Sequence, residues 1–364
     1  MLSSLSLFGF RNLNRLQWSL AEGSHLLLGG NGAGKTSLLE AIYLVATTRS
    51  FRTSNLRECL RVGGAEEDTE GVEAPAFGVS ATTVGDRRAH LELRWSGGST
   101  RRELDSKAVP LAKYLEPLPV VVWSAQDADV LSGSHDRRRR MLDRGLVSED
   151  LSRLGVVSRY RQCLRQKREL LRRGQAGIEE WNHLLAQAAS DLARERSSYV
   201  EVLSTGLREG LARSGLDFPP LALHYRPSPP CALDGTEAIE EALQEEMSEE
   251  RRRRRPLVGP HLDRLLILWG EKDVSEIASA GERKSLGLLL LVAQFLALEA
   301  AGRTPVVLAD DVDSELDTAS LQCLWRVLSE ARQVIVSSNR PEVWKALEVS
   351  HRWSVRGGSL DPCV

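Results

Sequence analysis

Residues Gly29-Gly30-Asn31-Gly32-Ala33-Gly34-Lys35-Thr36 set the strongest limit on what this chain can fold into. They have the P-loop spacing of a Gly, four free positions and Gly-Lys-Thr. Their flanks agree: His25-Leu26-Leu27-Leu28 reads as a strand leading in, and Ser37-Leu38-Leu39-Glu40-Ala41-Ile42 leads out at helical spacing. Glycines let the backbone turn so that amide N–H groups face phosphate oxygens, and the following helix adds the positive end of its dipole. In such a loop Lys35 reaches the β- and γ-phosphates and the Thr36 hydroxyl ligates Mg²⁺.

A second half-site stands far along the chain. Val306-Val307-Leu308-Ala309-Asp310-Asp311 is an apolar strand ending in two carboxylates, the Walker B pattern. In a parallel α/β sheet this end comes to the P-loop, where Asp310 holds Mg²⁺ through its water shell and Asp311 orients or deprotonates the attacking water. Catalytic roles therefore fall to Lys35, Asp310 and Asp311. Upstream, Ser279-Ala280-Gly281-Glu282 opens an apolar helix. As a local device it is a capping box worth about 1 kcal/mol; a Ser and a Gly at a helix N-terminus also suit an anion.

At 364 residues there is room for two domains or one large α/β domain. A formal net charge of −2 leaves any attraction to nucleic acid to local basic patches. The five cysteines are scattered and never form Cys-x-x-Cys, which fits a reducing cytoplasm and argues against a disulfide framework or a zinc site. The N-terminus lacks the basic start and apolar core of a signal peptide. The most apolar window, Leu286 to Ala301, is too short for a bilayer and contains Gln294 and Glu299, so a buried helix is expected and no membrane span.

Alternation predicts a strand over Leu5 to Phe10 with Trp18 to Leu20 as its hairpin partner. Phe77 to Val84 and Leu91 to Trp95 form a meander across Gly85-Asp86-Arg87-Arg88, continuing weakly to Val109; Val120 to Trp123 is another strand. From Asp136 to about Gly215 the period is helical. Tyr160, Leu164 and Leu171 form one stripe; after a break at Gly174 to Gly177, Trp181, Leu184, Leu185, Ala188, Leu192, Tyr199 and Leu203 form a second, giving a short antiparallel arm. Leu221 to Tyr225 reads as a strand, Glu237 to Glu250 as an acidic helix running into Arg251-Arg252-Arg253-Arg254-Arg255, and Val334 to Val336 as the last strand.

Ser-x-Gly-Glu/Gln before a Walker B strand resembles the signature motif of ABC-type ATPases, and Ser314-Glu315-Leu316-Asp317 resembles their D-loop. More telling are four islands: Asn31 to Tyr43 followed by Arg49-Ser50-Phe51-Arg52-Thr53; Gln126 to Leu131 with Arg138 to Asp143; Leu257-Val258-Gly259-Pro260-His261-Leu262-Asp263; and Asp310 to Asp317. In this order they resemble the RecF family of bacterial recombination-repair ATPases over nearly the whole chain. The resemblance implies an α/β, ABC-type ATPase head, with 1–120 and 303–364 as the ATP-binding lobe and 121–302 as a mainly helical lobe carrying the arm and the signature. It implies nucleotide contacts from Gly29, Gly30, Asn31, Gly32, Ala33, Gly34, Lys35, Thr36 and Ser37, and from Ser279, Gly281 and Asp317. Thr36 and Asp310 become Mg²⁺ ligands, with Gln126 as a further candidate.

The same resemblance implies a homodimer that sandwiches two ATP molecules, duplex and gapped DNA as ligand, and weak DNA-stimulated ATP hydrolysis that resets the clamp. It implies RecR and RecO as partners, RecA indirectly, a role in replication, repair and the SOS response, and a cytoplasmic, nucleoid-associated location. There are departures. Ala280, Glu282 and Arg283 stand where the family usually has glutamines, Leu262 replaces a basic residue, and Ser337-Ser338-Asn339 occupies the place of a switch histidine, so slow hydrolysis is expected. Arg137 to Arg140, Lys167, Arg168, Arg172, Arg173 and Arg251 to Arg255 either neutralise DNA phosphates or pair with carboxylates such as Glu241 and Glu245 to Glu250. The alternatives are a related ABC head acting as a DNA tether, for which the arm is short, or as a nuclease-associated head, for which no further carboxylate cluster follows Asp317. A transporter energy subunit fits less, the signature lying too far from the P-loop.

Overall fold

A computed structural model describes residues 1–61, 75–85, 88–124, 127–175, 177–314 and 316–363. The chain divides into two compact units. Met1–Ala128, Glu209–Leu216 and Ser279–Val364 form the first; Asp129–Arg208 and Asp217–Ala278 form the second. The sequence division had grouped the signature helix with 121–302, whereas by its contacts that helix goes with the P-loop strand.

In the first unit β1 (Leu2–Phe10) and β2 (Leu13–Ser19) make the expected hairpin, with Leu5 opposite Trp18 and Phe10 opposite Leu13. β3 (Gly23–Leu28) leads to α1 (Lys35–Thr47). The meander is β4 (Ala76–Thr83), β5 (Ala89–Ser96) and β6 (Ser99–Leu104), and these strands join the hairpin in the order β2-β1-β4-β5-β6. After α2 (Leu111–Leu115), β7 (Val120–Trp123) belongs to a second sheet with β11 (Val306–Ala309), β12 (Gln333–Ser338), β13 (His351–Arg356) and β14 (Ser359–Pro362), in the order β14-β13-β3-β12-β11-β7. All neighbours there are parallel except the edge strand β14.

Helix α1 touches strands of both sheets, so it has no solvent face: every residue from Ser37 to Ala46 is buried. The apolar window is α10 (Ala280–Ala300), which rests on β7 and on α11 (Thr318–Leu328). A Cβ at Gly287 would lie 1.9 Å from the Trp123 ring, so only glycine lets the helix approach the strand. Among the described residues no helix is long and apolar enough to cross a membrane.

The second unit follows α3 (Ala128–Leu131) with α4 (His135–Glu149), α5 (Leu154–Arg173) and α6 (Ile178–Ser214), whose last residues fall in the first unit. α5 stops at Gly174, left-handed at φ 64°. Ion pairs Arg153–Glu195 and Arg159–Asp191 give α5 and α6 an antiparallel register. Leu185, Ala188, Leu192, Tyr199 and Leu203 are buried as expected, but Leu184 is 48% exposed. The buried line runs through Leu185, so Leu184, one position and some 100° away, points off it, and Ala186, Ala189 and Ala193 complete the face. β8 (Leu221–Arg226) pairs with β9 (Arg264–Trp269), and β9 with β10 (Lys272–Asp273), which precedes the short α9 (Val274–Ile277). The acidic helix is broken in two, α7 (Thr236–Glu245) and α8 (Met247–Arg253).

Two basic candidates for DNA are internal. Arg138 is fully buried; it donates to Val130 O at 2.7 Å and Leu265 O at 2.9 Å, and grips Asp273 through both nitrogens at 2.6 and 2.8 Å. Lys167 is fully buried against Glu250. Neither can meet a phosphate. Arg172 and Arg173 pair with Glu169, Arg252 and Arg253 with Glu249, and Arg251 with Glu179, so carboxylates within a turn or across the arm absorb much of these runs.

Burial opposes ionisation of Asp273, but the hydrogen bonds from Arg138 and Ser275 outweigh it and hold its carboxyl well below the usual range. A depressed carboxyl contributes stability above its ordinary value of 3.8 and loses it as the pH falls through the native value. Asp273→Asn is therefore expected to lower the melting temperature at neutral pH, with the gap to wild type closing below pH 4. A gap that stays constant down to pH 2 would show that the Arg138 contact does not depend on the charge.

Candidate nucleotide-binding site

The P-loop hangs between two strand ends. At the top of β3, Leu28 is paired with Ser338 of β12 and Ser354 of β13. A Cβ on Gly29 would sit 2.4 Å from Val355 O, and Gly34, at φ 116°, turns the chain into α1 as a left-handed N-cap. No side chain caps that helix, so its first N–H groups are left for a ligand in the loop. Asn12, at the tip of the β1–β2 hairpin, braces the loop: its Nδ2 donates to Gly32 O at 2.9 Å and its Oδ1 accepts from Ser37 Oγ at 2.8 Å. Asn339 Nδ2 reaches Asn31 Oδ1 at 3.3 Å, and Gly358 N donates to Ala33 O at 3.2 Å.

Lys35 folds its ammonium onto its own loop, donating to Gly29 O at 2.7 Å and Gly30 O at 3.0 Å. Burial lowers its pKa, against the pull of Asp311, Asp310 and Asp313. Thr36 Oγ1 donates to Asp310 Oδ1 at 3.0 Å, so residues 274 positions apart meet as the two motifs require. The Walker B strand is not adjacent to β3; β12 lies between them. Its Ser337 donates to the same Asp310 oxygen at 2.6 Å and accepts the Asp311 N–H at 2.8 Å. Burial pushes the Asp310 carboxyl up, while the hydroxyls of Ser337 and Thr36 pull it down.

These groups open on a cavity of about 570 Å³, within the usual range for a small-molecule site. Asn31 to Ser37, Asp310, Asp311 and Ser337 line one side; Arg11, Asn12, Arg52, Glu58 and Leu60 line the rest. The second wall was missed from sequence, except for Arg52, which lay in an island. It is held by Glu40, fully buried on α1, which accepts from Arg11 Nε at 2.9 Å, Arg11 Nη2 at 2.6 Å and Arg52 Nη1 at 3.4 Å.

Ser279, Gly281 and Asp317 are not among the residues lining this cavity. Ser279 is exposed and closes the expected capping box: Glu282 N donates to its hydroxyl at 3.4 Å and its own N donates to Glu282 Oε2 at 2.7 Å. Asp317 is the exposed N-cap of α11, held by Ser320 N at 2.8 Å. Lys284 of α10 donates to Asp311 O at 2.9 Å, tying the signature helix to the Walker B turn. Gln126 and Glu315 lie outside the described residues.

The model for the RecF/RecN/SMC N terminal domain matches residues 1–357. The DNA replication and repair protein RecF of Anaeromyxobacter dehalogenans (strain 2CP-C) is 32% identical over 379 residues, covering 100% of this chain and 99% of that protein. The chain belongs to the RecF family. The RecF of Synechococcus sp. (strain CC9605) is 31% identical, over 92% of this chain and 93% of its own. The solved structure of the recombination mediator protein RecF-ATP of the RecFOR pathway superposes with a TM-score of 0.85 at 23% identity, covering 100% of this chain and 97% of that one, which establishes the fold as the mixed α/β RecF/SMC head. An SMC head bound to the C-winged helix domain of ScpA is more distant, at 0.56 and 16%.

Hydrogen bonds give the island at Gly259-Pro260-His261-Leu262-Asp263 a structural role within the second unit. Tyr160 Oη bonds His261 Nδ1 at 2.8 Å, and Asp263, 1% exposed, takes Arg196 at 2.7 Å, the Ser228 N–H at 2.8 Å and the Tyr225 hydroxyl. Leu262 is 41% exposed.

Proposed function

We propose that the chain is an ATP-dependent DNA-binding protein of recombinational repair, a slow ATPase whose nucleotide closes a homodimer over DNA. The observation that carries this reading is the meeting of Lys35, Thr36 and Asp310 on one cavity while the signature serine stays exposed outside it. Lys35 would exchange the carbonyls of Gly29 and Gly30 for phosphate oxygens, and the free N–H groups of α1 would take the rest. The residues fit Mg²⁺: among the described residues no cluster of three His, Cys, Asp or Glu holds a metal unaided, whereas the Thr36 hydroxyl and Asp310 carboxylate are hard oxygens suited to an ion that draws its other ligands from phosphate and water. Bound there, Mg²⁺ would neutralise charge developing on the transferred phosphoryl group.

In this reading Ser279, Gly281 and Asp317 complete the site of the partner protomer. RecO and RecR act with the protein on duplex and gapped DNA, RecA follows, and the setting is the cytoplasm, where five free cysteines persist. Phosphate contacts remain open to exposed arginines such as Arg168, Arg254 and Arg255, each adding roughly −0.9 to the slope of log affinity against log salt.

Sedimentation with a non-hydrolysable ATP analogue tests the dimer. Wild type is expected to pass from monomer to dimer. Ser279→Arg should bind nucleotide with nearly unchanged affinity yet need about tenfold more protein to dimerise, a coupling of some 1.4 kcal/mol. A wild-type monomer at saturating analogue, or a Ser279→Arg dimer of normal affinity, would sink this arrangement.

A further inference from the structure

The strand between the two nucleotide motifs ends in adjacent serines that do different things. Ser337 and Ser338 are both fully buried. Ser338 Oγ donates to Asp313 Oδ2 at 2.7 Å and accepts from Arg340 N at 2.9 Å, which ties the turn after the Walker B strand to the end of β12. Ser337 serves the reacting end of that turn. Its hydroxyl has a single proton, and the geometry fixes where it points: Oγ accepts from the Asp311 N–H at 2.8 Å, so the proton goes to Asp310 Oδ1 at 2.6 Å.

The consequences fall on both carboxylates. Asp310 Oδ1 is the oxygen that also accepts from Thr36, so Ser337 locks the rotamer that aims Asp310 at the P-loop helix. Asp311 stands at φ 50°, left-handed for a side chain with a Cβ, a strained conformation that persists only where its surroundings hold it. The Ser337 acceptor on its N–H, with Lys284 on its carbonyl at 2.9 Å, supplies that hold from both sides of the residue. The left-handed turn directs Asp311 to the cavity it lines. A hydroxyl committed in both directions within the protein is not placed to donate to a phosphate.

The geometry points to Ser337 as the positioning residue of ATP hydrolysis in this chain: it acts on the nucleotide only through Asp310 and Asp311. This rests on the nucleotide reading above. Ser338 is the matched control, equally buried, one residue away and bonded to a carboxylate on the same turn.

The experiment compares Ser337→Ala, Ser337→Cys and Ser338→Ala with wild type for single-turnover ATP hydrolysis, for binding of a fluorescent ATP analogue with and without Mg²⁺, and for thermal melting. Ser337→Ala is expected to slow hydrolysis about tenfold or more while nucleotide affinity in the absence of Mg²⁺ moves less than about threefold, and the gain in affinity on adding Mg²⁺ shrinks, as for other partners of metal ligands. Ser337→Cys fills nearly the same space with a weak donor, and is expected to fold as wild type does and to hydrolyse between wild type and the alanine variant. Ser338→Ala is expected to lower the melting temperature at least as much with hydrolysis kept within about threefold. Equal loss of hydrolysis in Ser337→Ala and Ser338→Ala, or a Ser337→Cys enzyme as fast as wild type, overturns the assignment. Wild-type protein that neither binds nor hydrolyses ATP overturns the nucleotide reading and the assignment with it, whereas wild-type turnover untouched by either Ser337 variant overturns the assignment alone.

Discussion

Arg196→Met is expected to destabilise the second unit by about 3–5 kcal/mol, because it strips the cation from two buried carboxylates at once. Arg196 is 3% exposed. Its Nε and Nη2 donate to Asp143 Oδ1 at 2.9 and 2.8 Å, and its Nη1 to Asp263 Oδ2 at 2.7 Å and Pro260 O at 2.6 Å. Burial already pushes the Asp263 carboxyl up against the pull of Arg196, so without the arginine Asp263 must either stay charged in a poor medium or take a proton. Asp143 keeps Arg161 at 2.8 Å and is the less exposed to loss. Methionine conserves much of the volume, so the cost measured is chiefly that of the orphaned charges. Urea unfolding followed by the helix signal reads it, and adding Asp263→Asn to Arg196→Met should restore part of the loss. A single variant within about 1 kcal/mol of wild type would mean that water reaches this network in solution.

That network also shows where the sequence was legible and where it was not. Patterns confined to one stretch read well. The P-loop, the apolar Walker B strand, the capping box at Ser279, the first hairpin and the glycine break before Ile178 each depend on neighbours within a few positions, where spacing maps onto geometry. Charge runs did not read well. Arg137 to Arg140 is one block in sequence, but successive helical residues are about 100° apart, so Arg138 turns inward to Asp273 while Arg140 stays on the surface with Asp136. Nothing within the run says which one will meet a carboxylate 135 positions away.

The missed cavity wall has a related cause. Asn12 and Arg11 sit in a hairpin turn some twenty residues before the P-loop, and only the packing of β1 against α1 brings them to Gly32 and Glu40. A polar pair in the hairpin turn, where Arg11 adopts a positive φ of 55°, was the available signal. Strand β9 was overlooked for another reason: after Arg264, Leu265-Leu266-Ile267-Leu268-Trp269 is a continuous apolar run without alternation, which periodicity alone cannot separate from helix. The order of strands was equally out of reach, and it put Ser337 rather than the P-loop strand beside Asp310.

Lys35→Met should reduce ATP affinity about 100-fold or more, some 2.7 kcal/mol, since charge-assisted hydrogen bonds to phosphate are worth about 1.5–3 kcal/mol each and this ammonium is placed to make two. The fold itself should lose little. Lys35 is 8% exposed, burial works against its charge, and its donors satisfy only the carbonyls of Gly29 and Gly30, so the stem of methionine preserves the packing while those two oxygens turn to water in the cavity. Lys35→Arg is not expected to rescue binding: the planar guanidinium is wider than an ammonium and cannot enter a loop whose glycine carbonyls already close on Nζ at 2.7 and 3.0 Å. Anisotropy of a fluorescent ATP analogue reads both variants, with melting temperature as the check on folding. Lys35→Met protein that melts like wild type and binds within about fivefold of it would show that the α1 N-terminus, which no side chain caps, holds the phosphates without the lysine.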